Sequence, residues 1–203
     1  DLPLPLCAEP SRVAADAERL RRAMLNSGVS LRHVRSRIVY VPEFNEMLDR
    51  YGSKGSVLSL ATLGLVADSL AGIRRGPIRV LCDKHGGRNK YAALLQDLAR
   101  PGLPQVVIES RAESRYLFGP PSRRVDIRFS AKGERFLPSA VASMTSKYLR
   151  ELAMLALNRY WCGRVSGLEP TAGYPSDAKR WRAALQASED TLQIDERLLW
   201  RSR

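Results

Sequence analysis

Two short apolar runs constrain this chain more than any other feature. IRVLC at 78–82 and QVVIE at 105–109 have strand length, are rich in β-branched residues, and are set off by Gly76-Pro77, Pro101 and Pro104. A helical pattern over 90–99 separates them. Before the first run lies SVLSLATLGLVADSLAGI at 56–73, the most apolar stretch. It reads as a buried helix, with Leu58, Leu65 and Leu70 among Ala, Gly and Ser, and Arg74-Arg75-Gly76-Pro77 ends it. Further upstream, LRHVRSRIVYV at 31–41 alternates imperfectly and reads as a strand of about seven residues ending at Pro42. Strand, helix, strand, helix, strand is the signature of a parallel α/β sheet. Residues 114–131 differ. SRYLFG and RRVDIRFS flank Gly119-Pro120-Pro121-Ser122, the pattern of a β-hairpin.

The rest of the chain is mainly helical in pattern. Residues 1–9 read as extended. Val13, Ala17, Leu20 and Leu25 approximate a helical repeat over 12–25, closed by Asn26-Ser27-Gly28, and this face of Ala, Val and Leu suits packing on a sheet. A short helix or turn begins at Glu43 and closes at Tyr51-Gly52-Ser53. Pro138 fits the first turn of a helix that runs to about 157. Val141, Met144, Tyr148, Leu152 and Leu155 form its apolar stripe. A Gly-rich loop (163–173), a helix over about 176–186 and a last segment ending at Arg203 complete the chain. There is no internal repeat.

Charge narrows the classes of partner. Lys and Arg total 33 against 21 Asp and Glu, a formal net charge of +12, and 27 of the cations are Arg. A high-GC genome accounts for Arg in place of Lys but not for the net excess, which points to a polyanion, most often nucleic acid. A membrane surface would require a basic helix with bulky apolar residues on one face, and 12–25 lacks them. Cys7, Cys82 and Cys162 have no paired spacing, which argues against a disulfide framework or a Cys-based zinc site. No apolar run is long enough to span a bilayer, and no signal peptide is visible.

Asp83 is the leading candidate for chemistry. It ends an apolar strand and opens the loop KHGGRN, and ligands of open α/β sheets bind outside the carboxyl ends of strands. A carboxylate there can hold a metal; it can equally be a helix N-cap or a turn Asp. Gly86-Gly87 could let backbone N–H groups approach a phosphate. His85 reads as a polar loop residue, and with His33 the only other histidine, a His-rich metal site is excluded by count. No nucleophile-elbow spacing supports Ser/His/Asp catalysis. On the long helix, Ser143, Lys147 and Glu151 fall at i, i+4 and i+8, with Arg150 adjacent. They make either a solvated face with a Lys–Glu pair or a polar surface that a nucleic-acid backbone could approach.

Several segments carry a resemblance. FLPSAVASMTSKYLRELAM at 136–154 resembles a helix of the type-2 ribonuclease H (ribonuclease HII) family that reads roughly AAASIxAKVxRDRxM. Ala142-Ser143-Met144 matches its ASI, Ser146-Lys147 its AK, and Arg150-Glu151 its RD. Lys132-Gly133-Glu134 resembles the family's KGD, and VLCDKHGG at 80–87 the strand that ends in a catalytic Asp, usually VLVDG. The segment from Val41 to Gly72 is similar to an Asn-bearing turn followed by a small-residue helix, and Ala172-Gly173-Tyr174-Pro175-Ser176 to KGYPT. The pieces keep the family's order over roughly 35–186.

The resemblance implies an α/β, ribonuclease H-like fold: a mixed sheet flanked by helices, here without its first strands. It implies one domain over 1–203, partial at its N-terminus, with a hairpin insertion at 110–131 and a substrate-side extension at 158–203. The implied activity is metal-dependent endonucleolytic hydrolysis of RNA in RNA–DNA hybrids, in a cytoplasmic, monomeric protein with no membrane partner. Two Mg²⁺ or Mn²⁺ ions would activate a water and stabilise the leaving 3′-oxygen, held by carboxylates because such ions prefer oxygen ligands. Asp83 takes the place of the third carboxylate and Glu151 of the fourth, as catalytic residues and metal ligands. Ser143, Lys147 and Arg150 would lie beside backbone phosphates, and Tyr174 would face the junction where a 2′-hydroxyl distinguishes RNA. The sequence departs from the family in three ways. The opening motif GxDEAGRG is not in these 203 residues, position 151 is Glu rather than Asp, and the hairpin near 114–130 reads as an insertion before the KGD-like segment, while the tail also lacks the His-Lys that precedes the family's Gly-Tyr. The chain opens Asp1-Leu2-Pro3 rather than with Met, and the expectation is that the missing motif lies upstream. The alternative is a non-catalytic nucleic-acid-binding module with a degenerate site. A doubly wound small-molecule enzyme would need a better phosphate loop than KHGGRN.

Overall fold

A computed structural model of the chain describes residue 4 and residues 7–188 and 195–202. Parts of the extended reading of 1–9 and of the last segment lie outside these residues. The described residues form two compact units, one drawn from 1–35 and 149–190, the other from 36–148 and 191–203.

The larger unit holds an α/β layer built on four strands: β1 (Ile78–Asp83), β2 (Gln105–Glu109), β3 (Glu113–Phe118) and β4 (Val125–Ser130). Their order is β1-β4-β3-β2. β2, β3 and β4 make an antiparallel meander, and β1 joins parallel to β4 with Ile78 opposite Val125 and Asp83 opposite Ser130. The sheet is therefore mixed. The parallel arrangement expected from strand–helix alternation is confined to one pair, because β2 pairs with its hairpin neighbour β3 and leaves β4 to meet β1. The hairpin expected at 114–131 is present as β3–β4. Gly119 at its turn has φ +82°, and a Cβ there would come within 2.7 Å of Arg123 O, so only glycine fits.

Period-2 alternation divides the sheet's faces. Tyr116 and Phe118 of β3 and Val125, Ile127 and Phe129 of β4 are buried with Leu63, Val66 and Leu70 of α3 (Lys54–Ala71) and with Tyr91 and Leu95, which precede the short helix α4 (Gln96–Ala99). Tyr91 stacks flat on Phe129 with ring centroids 3.8 Å apart. The buried stripe of α3 runs through Ser59, Leu63, Val66 and Leu70, so of the leucines expected inside, Leu70 is buried and Leu58 faces solvent. On the opposite face, Arg115 grips Asp126 in a two-pronged pair at 2.9 and 3.0 Å, and Arg128 adds a contact at 3.0 Å. Burial alone would raise the Asp126 carboxyl, but these guanidiniums outweigh it and hold the group below the usual carboxylate range.

Residues 31–40 are not a strand. The helix α2 (Val41–Tyr51) starts where the strand was expected to end. Pro42 sits in its first turn, where its missing N–H costs nothing, and none of the four strands is there to satisfy the backbone of 31–40 as a ladder. Asn45 of α2 is buried and binds the chain near α7 (Glu196–Leu199). Its Nδ2 donates to Arg197 O and Trp200 O, and its Oδ1 accepts from Ser202 N.

The other unit contains α1 (Pro10–Asn26), the second part of α5 (Leu137–Cys162) and α6 (Pro175–Gln186). Trp161 of α5 and Trp181 of α6 meet edge to face at 6.3 Å, with Val165, Leu168 and Leu185 also buried. α1 buries none of its residues, contrary to its expected packing on a sheet; Val13, Leu20 and Leu25 are exposed. The α5 stripe is likewise open at Val141, Met144, Tyr148 and Leu155. Helical periodicity tells which side is apolar, not what covers it.

Candidate functional site

Asp83 stands at the carboxyl end of β1, exposed, on the face turned away from the core. The register puts it in one row with Ser130 and Glu113. Gly133 N–H donates to its Oδ1 at 3.1 Å. A Cβ on Gly133 would lie 3.2 Å from both Cα and Oδ1 of Asp83. The segments VLCDKHGG and KGE, 50 residues apart, thus touch at this carboxylate. Lys132, which leads into the contact, is held at φ +58°.

The loop after Asp83 is tied down from below. His85 is buried, and its Nδ1 lies 2.9 Å from Ser59 Oγ. Ser59 gives its own proton to Gly55 O, so Nδ1–H is the donor. His85 N–H donates to Tyr91 OH, Tyr91 N–H donates to Tyr116 OH, and Tyr116 donates to Glu109. Burial, helped by the Arg88 charge and opposed by Asp83, pushes the His85 imidazole down to about 4. His85 is a loop residue, as expected, but a buried and neutral one that anchors the loop to the core. Burial likewise pushes the Cys82 thiol up to about 12, Asp83 adding to the effect, which leaves it unreactive as a nucleophile.

Lys84 turns the other way. Its ammonium donates to Ser110 O at 2.5 Å, Asn89 Oδ1 at 2.9 Å and Ser114 Oγ at 3.0 Å. Desolvation lowers its pKa, with the more distant Glu109 opposing. Beside it opens a cleft of about 370 Å³ lined by Lys84, Gly86, Gly87, Asn89, Arg111 and Ala131. Sequence reasoning named Gly86 and Gly87 but missed Lys84 and Arg111. The missing signal is spatial, since Arg111 belongs to the turn between β2 and β3.

The other expected residues divide between the units. Ser143 and Lys147 fall in the same unit as Asp83, and their side chains make no hydrogen bond or ion pair with described residues. Arg150, Glu151 and Tyr174 come together in the other unit. Arg150 Nη1 donates to Glu151 Oε1 at 2.8 Å and Nη2 to Ala172 O at 2.5 Å, while its guanidinium lies over the Tyr174 ring at 4.8 Å. The expected Lys147–Glu151 pair is thus replaced by Arg150–Glu151. Asp177 of α6 shapes the loop bearing Tyr174 by accepting from Thr171 Oγ1 at 2.5 Å and Ala172 N at 2.7 Å. The Thr171 hydroxyl, then the Arg180 guanidinium and the Ala172 amide, hold its carboxyl down to about 2.

Asp83 has one oxygen committed to Gly133, and Glu151 is neutralised by Arg150. Among the described residues no group of three or more His, Cys, Asp or Glu side chains is arranged to hold a metal ion. These carboxylates alone therefore do not complete a two-metal centre. Among the described residues, no helix is long and apolar enough to cross a membrane. No protein-family model, curated protein or solved structure matches the chain.

Proposed function

We propose that the chain is a ribonuclease HII-like endonuclease with a ribonuclease H-like fold, acting on RNA in RNA–DNA hybrids, with Asp83 as its catalytic carboxylate and Mg²⁺ or Mn²⁺ as its metal. The observation that carries this reading is the hydrogen bond from Gly133 to Asp83, which joins two motif segments far apart in sequence at the carboxyl end of a strand. The grouping of Arg150, Glu151 and Tyr174 supports it, since their matching segments also lie apart in the chain. In this reading Arg150 holds Tyr174 by its ring face and presents it to a ribose, and Lys147 and Ser143, whose side chains have no described protein partners, contact phosphates.

A second reading has its own support. Glu151 is paired with Arg150, and among the described residues no group of three or more His, Cys, Asp or Glu side chains could hold a metal, as in a module that binds hybrids without cutting them. The deciding experiment incubates the full-length protein with end-labelled RNA–DNA hybrid and Mg²⁺ or Mn²⁺. Cleavage that falls by at least about 100-fold in Asp83→Asn, with hybrid binding retained, supports the nuclease. Binding without cleavage by the wild type supports the module. Undiminished cleavage by Asp83→Asn removes Asp83 from the reaction.

A further inference from the structure

The cleft beside Lys84 has the features of an anion site. The Lys84 ammonium is surrounded by neutral oxygens of Ser110, Ser114 and Asn89, with no described carboxylate within ion-pair distance. It is a positive charge fixed in place and not neutralised by contact. Arg111 lines the same cleft, and its side chain makes no hydrogen bond or ion pair with any described residue.

The backbone adds to this. The turn from His85 to Arg88 is closed by Arg88 N–H on His85 O, and the N–H groups of Gly86 and Gly87 donate to no described residue. Gly86, at φ +59°, needs glycine for its conformation. Gly87 does not: its φ is not positive, and a Cβ there would meet nothing within 4 Å. Neither packing nor backbone strain calls for a glycine at 87. What its missing side chain provides is bare backbone at the rim of a cleft with cationic walls. Consecutive unpaired N–H groups at a turn are a recurring cradle for phosphate oxygens, and a guanidinium matches a phosphate with two parallel donors. No acidic residue lines the cleft.

We infer that this cleft binds a phosphate group, held by the Gly86 and Gly87 amides and by Arg111, over the fixed charge of Lys84. In the nucleic-acid reading, on which this identification of the source rests, the ligand is a backbone phosphate of the bound duplex. Asp83 immediately precedes the loop, so the cleft would set the register of the strand offered to that carboxylate.

The test uses the full-length protein, an RNA–DNA hybrid followed by fluorescence anisotropy over a range of salt, and inorganic phosphate followed by the amide NMR signals of Gly86 and Gly87. Arg111→Ala is compared with Arg12→Ala, which removes the same charge from α1, and matching melting curves confirm folding. The expected result is about a tenfold loss of hybrid affinity in Arg111→Ala, with a salt slope smaller by about one, against a minor loss in Arg12→Ala. Hybrid binding with the two variants indistinguishable overturns the cleft and leaves the nucleic-acid reading standing. If the wild type binds no hybrid, but phosphate shifts both glycine amides and Arg111→Ala abolishes the shifts, the cleft holds a free phosphate compound and the nucleic-acid reading falls. Neither hybrid binding nor glycine shifts overturns both.

Discussion

At the scale of single residues, two positions decide how the candidate site is held. His85 is buried and neutral, donating through Nδ1 to Ser59. Its pKa, about 4 in the fold against an ordinary value of 6.5, means that the unfolded chain binds the extra proton first as pH falls. Stability is therefore complete above about pH 6.5 and declines as pH drops towards 4, by roughly 1–3 kcal/mol. Urea unfolding of the wild type and His85→Gln across this window checks the claim. The wild type should show the steeper acid loss, and parallel curves would remove His85 as its cause. Gly133 is the second position. Its added Cβ would press on Asp83 Cα and Oδ1 at 3.2 Å, closer than ordinary contacts. Gly133→Ala should cost about 1–2 kcal/mol and displace the carboxylate. Unaltered stability together with unaltered cleavage of hybrid would show that the Asp83 contact is not tight.

At the scale of elements, the loop after β1 is fixed by a relay across β2 and β3. The Tyr116 hydroxyl accepts from Tyr91 N–H at 2.8 Å and donates to Glu109 at 2.5 Å. Tyr116→Phe removes the acceptor and strands a buried N–H, so about 1–3 kcal/mol should be lost although the ring still fills its place. A urea midpoint equal to wild type would mean that water replaces the hydroxyl. Such elements were legible in the sequence wherever the signal is local. The runs that became β1 and β2, the hairpin around Gly119, and helices α3, α5 and α6 follow from periodicity and from Pro and Gly punctuation. The pairing of β1 with β4 was not legible, because it depends on which strand edge is free once the meander has formed. Residues 31–40 alternate like a strand but have no described partner strand. For the site, Asp83 was legible from its position at a strand end. Its contact with Gly133, the burial of His85 and the company of Lys84 and Arg111 were not, since each joins segments that only the fold brings together.

At the scale of the whole molecule, the net charge of +12 acts on two equilibria at once. Acidic side chains such as Asp126, Asp177, Glu18 and Glu43 are already paired with arginines, so the excess is carried by cations without such partners. These repel one another in the folded state, and they are also what a polyanion would neutralise. Salt screens both effects with a Debye length of about 10 Å at 0.1 M. The two responses therefore have opposite signs. Raising NaCl from roughly 0.05 to 0.2 M should raise the melting temperature, because self-repulsion is relieved. Over the same range the affinity for an RNA–DNA hybrid should fall by about 10³-fold or more if six or more phosphates are contacted. Melting curves and hybrid titrations on one protein preparation measure both. A melting temperature that falls with salt would place the net stabilisation in surface ion pairs instead. A hybrid affinity indifferent to salt would mean that the arginine excess does not meet the phosphate backbone, and the nucleic-acid reading of the charge would be lost with it.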